Sequence, residues 1–292
     1  MLKIFIFLIL ASCSKVSKEE TQTPLEKLAR QYTELLPSVQ DEHGFIETEA
    51  CDSLLFSGLI GAAGIRVNLT AAEISPGEWA RRSSKDCYDE GLSRSRTSRD
   101  MLLGVMYYAW YNKDLNMLER LFQYGKDNNW VMGYYRPGDT KAYGTMLFNP
   151  NYISLLARLI HGLGGADSAA RYTPIVLTRS CQGFECHLST LFILLLGEVS
   201  GLKSSDVDIL EKNSIQNPNN ILHAAAANLY GRSRPILVNE WYPYSRLPSN
   251  IERCEPWAIQ RSDLDTGLTP CNQTKTHSGG EVIFVNWLLT TR

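Results

Sequence analysis

The stretch that decides the fold is residues 97–111, which read TSRDMLLGVMYYAWY. From Met101 to Trp110 there is no charged side chain, so a helix here has no face suited to water and must be buried nearly all round. Thr97 and Asp100 have the spacing of a capping box, in which each side chain bonds the backbone of the other residue. The stretch therefore predicts a helix that begins near Thr97 and lies in the inner layer of a two-layered helical protein.

Five further stretches share this pattern of a polar first residue followed by an uncharged, apolar run. The polar starts of all six are Asp52, Asp100, Asn151, His187, Asn220 and, for the last, His277 or Glu281. The first five recur at intervals of 33 to 51 residues, and recurrence on this scale is typical of arrays of helical hairpins. If the hairpins close into a ring, the polar starts meet at one mouth. The alternative is that Asp, Asn and Ser begin helices everywhere because they cap them.

The remaining segments predict outer helices and long connections. Amphipathic patterns predict outer helices at residues 25–36, 114–126 and 204–212, and residues 168–178 predict a short helix. Residues 130–150, rich in Gly, Tyr and Pro, predict a long irregular loop or a hairpin, and residues 241–280 an irregular loop. Residues 282–289 follow a second capping-box pattern at Ser278 and Glu281 and suit either a helix or a strand.

This organisation resembles the (α/α) toroid of glycan-active enzymes such as family 8 glycoside hydrolases and several polysaccharide lyases. The resemblance covers residues 25–292 in organisation and includes no diagnostic motif. In those families the mouth of the ring holds acidic residues, or Tyr, His and Arg, beside aromatic platforms for sugar rings. The resemblance therefore implies a mainly α fold, a helical-hairpin array closed as a toroid, that acts on a glycan.

The amino terminus predicts the compartment. Residues 1–10 combine one lysine with a short apolar run, which is typical of a secretory signal and too short to span a bilayer permanently. The sequence Leu10-Ala11-Ser12-Cys13 resembles the lipobox of bacterial lipoproteins. The resemblance implies that residues 1–12 are removed, that Cys13 carries the lipid, palmitate included, and that residues 13–24 form a tether. Ser14 favours the outer membrane, facing the periplasm; the alternative is an ordinary secretory signal cut nearby.

Composition limits the partners and the number of domains. Without residues 1–12 the chain keeps 28 Lys and Arg against 31 Asp and Glu, and this acidic balance argues against a nucleic-acid partner. The length fits one large domain or two small ones, and residues 25–292 are predicted to form a single domain. Six cysteines besides Cys13 form an even number outside the cytoplasm, which predicts three disulfides among 15 possible pairings. The predicted pairs join sequence neighbours: Cys51–Cys87, Cys181–Cys186 and Cys254–Cys271.

Four residues are candidates for acid–base catalysis. Asp52 and Asp100 occupy matching positions at the starts of two inner helices, and glycosidic bond cleavage needs two carboxyl groups roughly 5 to 10 Å apart. The competing interpretation is that both are helix caps. Glu240, in an aromatic loop, and His277, before the last helix, are the other candidates.

Arginine and aromatic side chains are candidates for substrate binding. Arg81, Arg82 and Arg99 belong to a basic cluster that would hold a uronate, phosphate or peptide carboxylate, although a solvated loop would look the same. Arg99 stands at the first turn of a buried helix, where its charge opposes the helix dipole, so we expect it to have an acidic partner. Trp241 and Tyr244 are candidate platforms for sugar rings.

No metal or cofactor motif is present in the sequence. The sequence thus predicts an envelope lipoprotein that acts on a polysaccharide or a peptidoglycan glycan, as a hydrolase or a lyase. The competing class is a non-catalytic lipoprotein that binds cell-wall glycan or another envelope protein.

Overall fold

The computed structural model describes residues 22–47, 53–85, 97–134, 145–166, 175–177, 181, 184–218, 220–238 and 279–292. Nine α-helices lie in these segments, and the predicted mainly α class is confirmed. They are α1 Pro24–Leu35, α2 Ser53–Ala62, α3 Arg99–Tyr111, α4 Leu115–Asp127, α5 Pro150–Gly162, α6 Phe184–Ser200, α7 Ser204–Gln216, α8 Ile221–Leu229 and α9 Gly280–Thr290. None of these helices is long and apolar enough to span a bilayer.

Strands are short and occur as two antiparallel pairs within the described segments. They are β1 Glu73–Ser75 with β2 Glu78–Trp79, and β3 Val131–Tyr134 with β4 Thr145–Leu147. The second pair confirms the hairpin alternative for residues 130–150. Residues 175–177 are not helical, and the rest of the short helix predicted at 168–178 lies outside the described residues.

Six of the helices form an inner layer, and their burial follows their uncharged sequences. Every residue of α2 is buried, and so are Met101 to Tyr107 and Ala109 in α3, with Tyr108 and Trp110 only partly covered. Each inner helix packs against the next in the order α2, α3, α5, α6, α8 and α9, and α9 packs back against α2. The outer helices cover this layer: α1 packs on α9, α4 on α5 and α3, and α7 on α8 and α6.

The contact between α2 and α3 is very close because glycines face each other there. A Cβ atom added at Gly58 would lie 2.3 Å from the carbonyl oxygen of Gly104, and one added at Gly104 would lie 2.7 Å from the Cα of Leu55. Both distances are to backbone, which no side-chain rotation relieves. The small residues of α2 thus let the two helices approach to backbone contact.

The space between the inner helices is filled by side chains beyond their first turns. Tyr107 of α3 is buried and its hydroxyl donates a hydrogen bond to the carbonyl of Leu191 in α6, at 2.7 Å. Its ring packs edge-on against Phe284 of α9, with the ring centroids 5.2 Å apart. Burial raises the pKa of Tyr107 well above its ordinary value. The core is therefore continuous across the layer.

The capping box predicted at Thr97 and Asp100 is wrong, and Ser278 of the second predicted box lies outside the described residues. Helix α3 is capped by Ser98, without a side-chain cap bond, and the buried hydroxyl of Thr97 has no hydrogen-bond partner among the described residues. Helix α9 begins after Gly279, whose φ of 75° lies in the left-handed region that suits glycine. Glu281 is buried and contacts His187 of α6 instead of the backbone at its own helix start. Residues 282–289 are helical, which resolves the choice between helix and strand.

Candidate functional site

The amino ends of α2 and α3 are tied together by Arg81. The backbone N–H of Leu54, in the first turn of α2, donates to the carbonyl of Arg81 at 2.8 Å. The Arg81 guanidinium donates from Nη2 to the hydroxyl of Ser98, the N-cap residue of α3, also at 2.8 Å. Arg81 is only 4% exposed. One buried arginine therefore fixes two helix starts relative to each other.

The amino ends of α3, α5 and α6 line a common cleft of about 330 Å³, called here the α3–α5–α6 cleft. The first turns of these three helices contribute Arg99, Asn151, Tyr152 and Glu185 to its lining. Burial raises the pKa of Tyr152 above its ordinary value, while the nearby charge of Arg99 lowers it and that of Asp100 raises it. Asp100, 4% exposed, thus lies close to this cleft.

A buried polar cluster joins the starts of α6, α8 and α9. His187 Nε2 contacts Glu281 Oε2, and the side chains of both residues are fully buried. Thr190 Oγ1 lies 2.8 Å from His223 Nδ1, and the Asn213 amide donates to Thr190 Oγ1 at 3.0 Å. The cluster links α6 directly to α9 and to α8, and it reaches the outer helix α7 through Asn213.

The protonation of His223 follows from its surroundings. Burial, together with the nearby charge of His187, lowers the pKa of His223 to about 3, so this imidazole is neutral at physiological pH. Thr190 Oγ1 also accepts from Asn213, and the tautomer of the neutral His223 ring decides which atom donates in its hydrogen bond with Thr190.

A second cleft, of about 370 Å³, lies beside the first residue of α2. Asp41, His43, Ser53 and Arg82 are among its lining residues. One oxygen of Asp41 accepts the backbone N–H groups of His43 and Phe45, at 2.9 and 2.8 Å. That carboxylate therefore shapes a turn as well as facing the cleft.

Only some of the predicted site residues lie among the described residues. Arg99 lines the α3–α5–α6 cleft and Asp100 is buried next to it in the first turn of α3. Arg81 is buried between α2 and α3, and Arg82 lines the second cleft. The acidic partner expected for Arg99 is not present among the described residues, where this arginine forms no ion pair. Outside the described residues lie Cys13, Cys51, Asp52, Cys87, Glu240, Trp241, Tyr244, Cys254, Cys271 and His277.

The sulfur atoms of Cys181 and Cys186 are 2.05 Å apart, which is disulfide distance. Cys186 is buried and immediately precedes His187, whereas Cys181 is partly exposed and lines the α3–α5–α6 cleft. The sulfur of Cys181 also lies 3.0 Å from Oδ1 of Asn213. The cysteine pair is thus in contact with both the cleft and the buried polar cluster.

Sequence reasoning missed most of the buried cluster. His187 was recognisable as a polar helix start, but nothing in the sequence pairs it with Glu281, 94 residues away. Thr190, Asn213 and His223 sit inside helical stretches, where isolated polar residues carry no signal of a shared cluster. Within the described segments, no group of three or more His, Cys, Asp or Glu side chains could hold a metal ion.

Comparisons of this chain with protein-family models, with curated proteins and with solved structures found no match.

Proposed function

We propose that this protein is a lipid-anchored protein of the bacterial cell envelope whose helices form an (α/α) toroid. The lipid anchor is proposed at Cys13, from the lipobox-like sequence. The amino ends of the inner helices act on a polysaccharide or on the glycan of peptidoglycan, by hydrolysis or by elimination. The chain faces the periplasm from the outer membrane.

The observation that carries this proposal is the gathering of polar and charged groups at the amino ends of the inner helices. Arg81 joins the starts of α2 and α3, one cleft joins those of α3, α5 and α6, and the buried cluster joins those of α6, α8 and α9. The packing order of the six helices, with α9 against α2, supports a closed ring. A ring of this kind presents all of its inner helix starts at one mouth.

The proposed chemistry uses carboxyl groups at that mouth. Asp100 is buried beside the α3–α5–α6 cleft, and Asp52 is joined through a peptide bond to Ser53, the first residue of α2. Since Arg81 holds the starts of α2 and α3 together, these two aspartates are the proposed pair for acid–base cleavage. Glu240 and His277 remain the other proposed catalytic residues, and Trp241 and Tyr244 the proposed sugar platforms.

Burial favours a second candidate function, a non-catalytic protein that binds cell-wall glycan or another envelope protein. His187, His223 and Glu281 are all fully buried. A side chain that contacts neither solvent nor substrate does not transfer a proton to the substrate. The packing of Tyr107 against α6 and α9 also fills the ring below its mouth. This arrangement suits a rigid binding surface as well as an enzyme.

The experiment is to incubate the purified protein with a panel of glycans and to detect products by reducing-end assay and mass spectrometry. The panel includes peptidoglycan sacculi, alginate, polygalacturonate and chitin oligosaccharides. We expect turnover of at least one glycan, reduced by about 10²-fold or more in Asp52→Asn and in Asp100→Asn. Asp127→Asn, which changes an exposed aspartate at the carboxyl end of α4, is the control and should retain full activity.

Three results would change the assignment. Turnover that both Asp52→Asn and Asp100→Asn leave intact would exclude these aspartates as the catalytic pair. If the protein binds a glycan without turning it over, the second candidate function, the non-catalytic binding protein, replaces the enzyme. If the protein neither binds nor turns over any glycan of the panel, the proposal is overturned.

A further inference from the structure

We infer that the α3–α5–α6 cleft binds the carboxylate of an acidic sugar, and that Arg99 is the residue that holds it. The inference rests on the proposed function, because it names the class of glycan that this site takes. The shared chemistry is a carboxylate attached to a sugar, either a uronic acid of a polysaccharide or the lactyl and peptide carboxylates of peptidoglycan.

Arg99 places a positive charge at the start of a helix that lines the cleft. It is the first residue of α3 and only partly exposed, and the helix dipole at this position disfavours positive charge. Among the described residues Arg99 forms no ion pair, although it lines the cleft. A ligand carboxylate would supply the missing charge, and a guanidinium binds a carboxylate through two parallel hydrogen bonds.

The other walls of the cleft suit a sugar ring. Asn149 caps α5 by accepting two backbone N–H groups at its Oδ1, which leaves its amide nitrogen as a donor for a ligand. The Ser189 hydroxyl and the exposed Glu185 carboxylate also line the cleft. The rings of Tyr152 and Phe192, with centroids 5.1 Å apart, supply an apolar wall. Donors, acceptors and apolar surface are the groups that recognise a carbohydrate.

Charge and size distinguish a sugar acid from a phosphate or from a long polymer. Glu185 at the cleft and Asp100 beside it would repel a phosphate dianion more strongly than a sugar acid, which carries one negative charge and can donate hydroxyl protons to Glu185. The volume of about 330 Å³ lies at the lower end of ligand pockets, which span roughly 300–1,000 Å³. The cleft therefore holds a short stretch of a glycan around its acidic group.

The test is isothermal titration calorimetry of the full protein with four probes. These are a galacturonic acid oligosaccharide, muramyl dipeptide, a neutral chitin oligosaccharide and inorganic phosphate. The variants are Arg99→Met, which keeps the aliphatic stem, and Arg99→Lys, which keeps the charge without the fork of donors. Arg30→Met is the matched control, because Arg30 is exposed on α1 and pairs with exposed Glu34. Thermal unfolding followed by circular dichroism checks that each variant is folded.

We expect at least one of the two carboxylated probes to bind the unchanged protein, and the one that binds identifies the source of the carboxylate. Arg99→Met should weaken that binding at least tenfold, Arg99→Lys should weaken it less, and Arg30→Met should not change it. Binding of the neutral oligosaccharide should be the same in all variants. If Arg99→Met leaves the affinity for carboxylated probes unchanged while glycans still bind, the inference fails and the proposed function stands.

Two other results overturn the inference. Preference for inorganic phosphate over both sugar acids would assign the cleft to a different anion. A protein that binds none of the sugar probes and turns over no glycan would contradict the proposed function together with the inference.

Discussion

The contact between His187 and Glu281 makes a strong prediction about stability. Both side chains are fully buried, one on α6 and the other on α9, so removal of Glu281 takes a hydrogen-bond partner away from an imidazole in the core. Loss of one member of a buried pair typically costs about 3–5 kcal/mol of unfolding free energy, and we expect this loss for Glu281→Ala. Glu281→Gln keeps the size of the side chain and a group that can hydrogen-bond to His187, so its cost should be smaller, about 1–3 kcal/mol.

The assay is chemical denaturation at neutral pH, with the unfolding free energy obtained by linear extrapolation. Glu34→Gln is the matched control, because Glu34 is exposed on α1 and pairs with exposed Arg30; it should cost less than about 1 kcal/mol. The reasoning is refuted if the unfolding free energy of Glu281→Ala lies within about 1 kcal/mol of that of the unchanged protein, since the loss of an exposed pair has a cost of this size.

Two further predictions concern helix packing and pH. Gly104→Ala should lower the unfolding free energy by about 1–3 kcal/mol in denaturation experiments, because the new methyl group meets the backbone of α2; a gain in stability, as helix propensity alone would give, contradicts the close contact. Because the pKa of His223 is lowered to about 3, the unfolded chain takes up a proton below about pH 6.5 that the folded chain does not. The stability due to neutral His223 is therefore complete above that pH and is lost as the pH falls toward 3, by at most about 1.4 kcal/mol per pH unit. His223→Asn should flatten the dependence of unfolding free energy on pH over this interval. If the two proteins show equal slopes, His223 takes up its proton in the folded state as well and the prediction is wrong.

The sequence predicted the helices well because their burial is encoded locally. The absence of charge from Met101 to Trp110 predicted an inner helix, and α3 spans Arg99–Tyr111 with most of that stretch buried. The outer helix expected at 114–126 is α4, Leu115–Asp127, capped by the side chain of Asp114. Periodicity identifies such elements because each residue's burial depends mainly on its own helix face.

The helix starts were predicted less well because tertiary contacts compete with local capping. Glu281 has the capping-box spacing from Ser278, yet it contacts His187 on another helix. The Thr97 hydroxyl is buried and has no hydrogen-bond partner among the described residues, and α3 starts after Ser98 instead. A pattern of four residues predicts a local bond but not a partner that arrives from elsewhere in the chain.

The common mouth at the amino ends of the inner helices stays a prediction. Among the described residues, Arg81 bonds Ser98, Arg99 lines the α3–α5–α6 cleft, and His187 contacts Glu281. The pairing of Thr190 with His223 spans 33 residues and that of Arg81 with Ser98 spans 17, and neither follows from spacing. Which polar residue faces a cleft and which is sealed in the core depends on how the helices pack.

The measurement that tests the central claim most directly is a crystal structure of the Asp100→Asn protein with its best-binding acidic oligosaccharide. The account predicts the sugar at the amino ends of the inner helices, with its carboxylate at Arg99 and a ring beside Tyr152. A sugar bound elsewhere, for example in the groove between α1 and α9 where Arg30 and Trp287 lie, would contradict it.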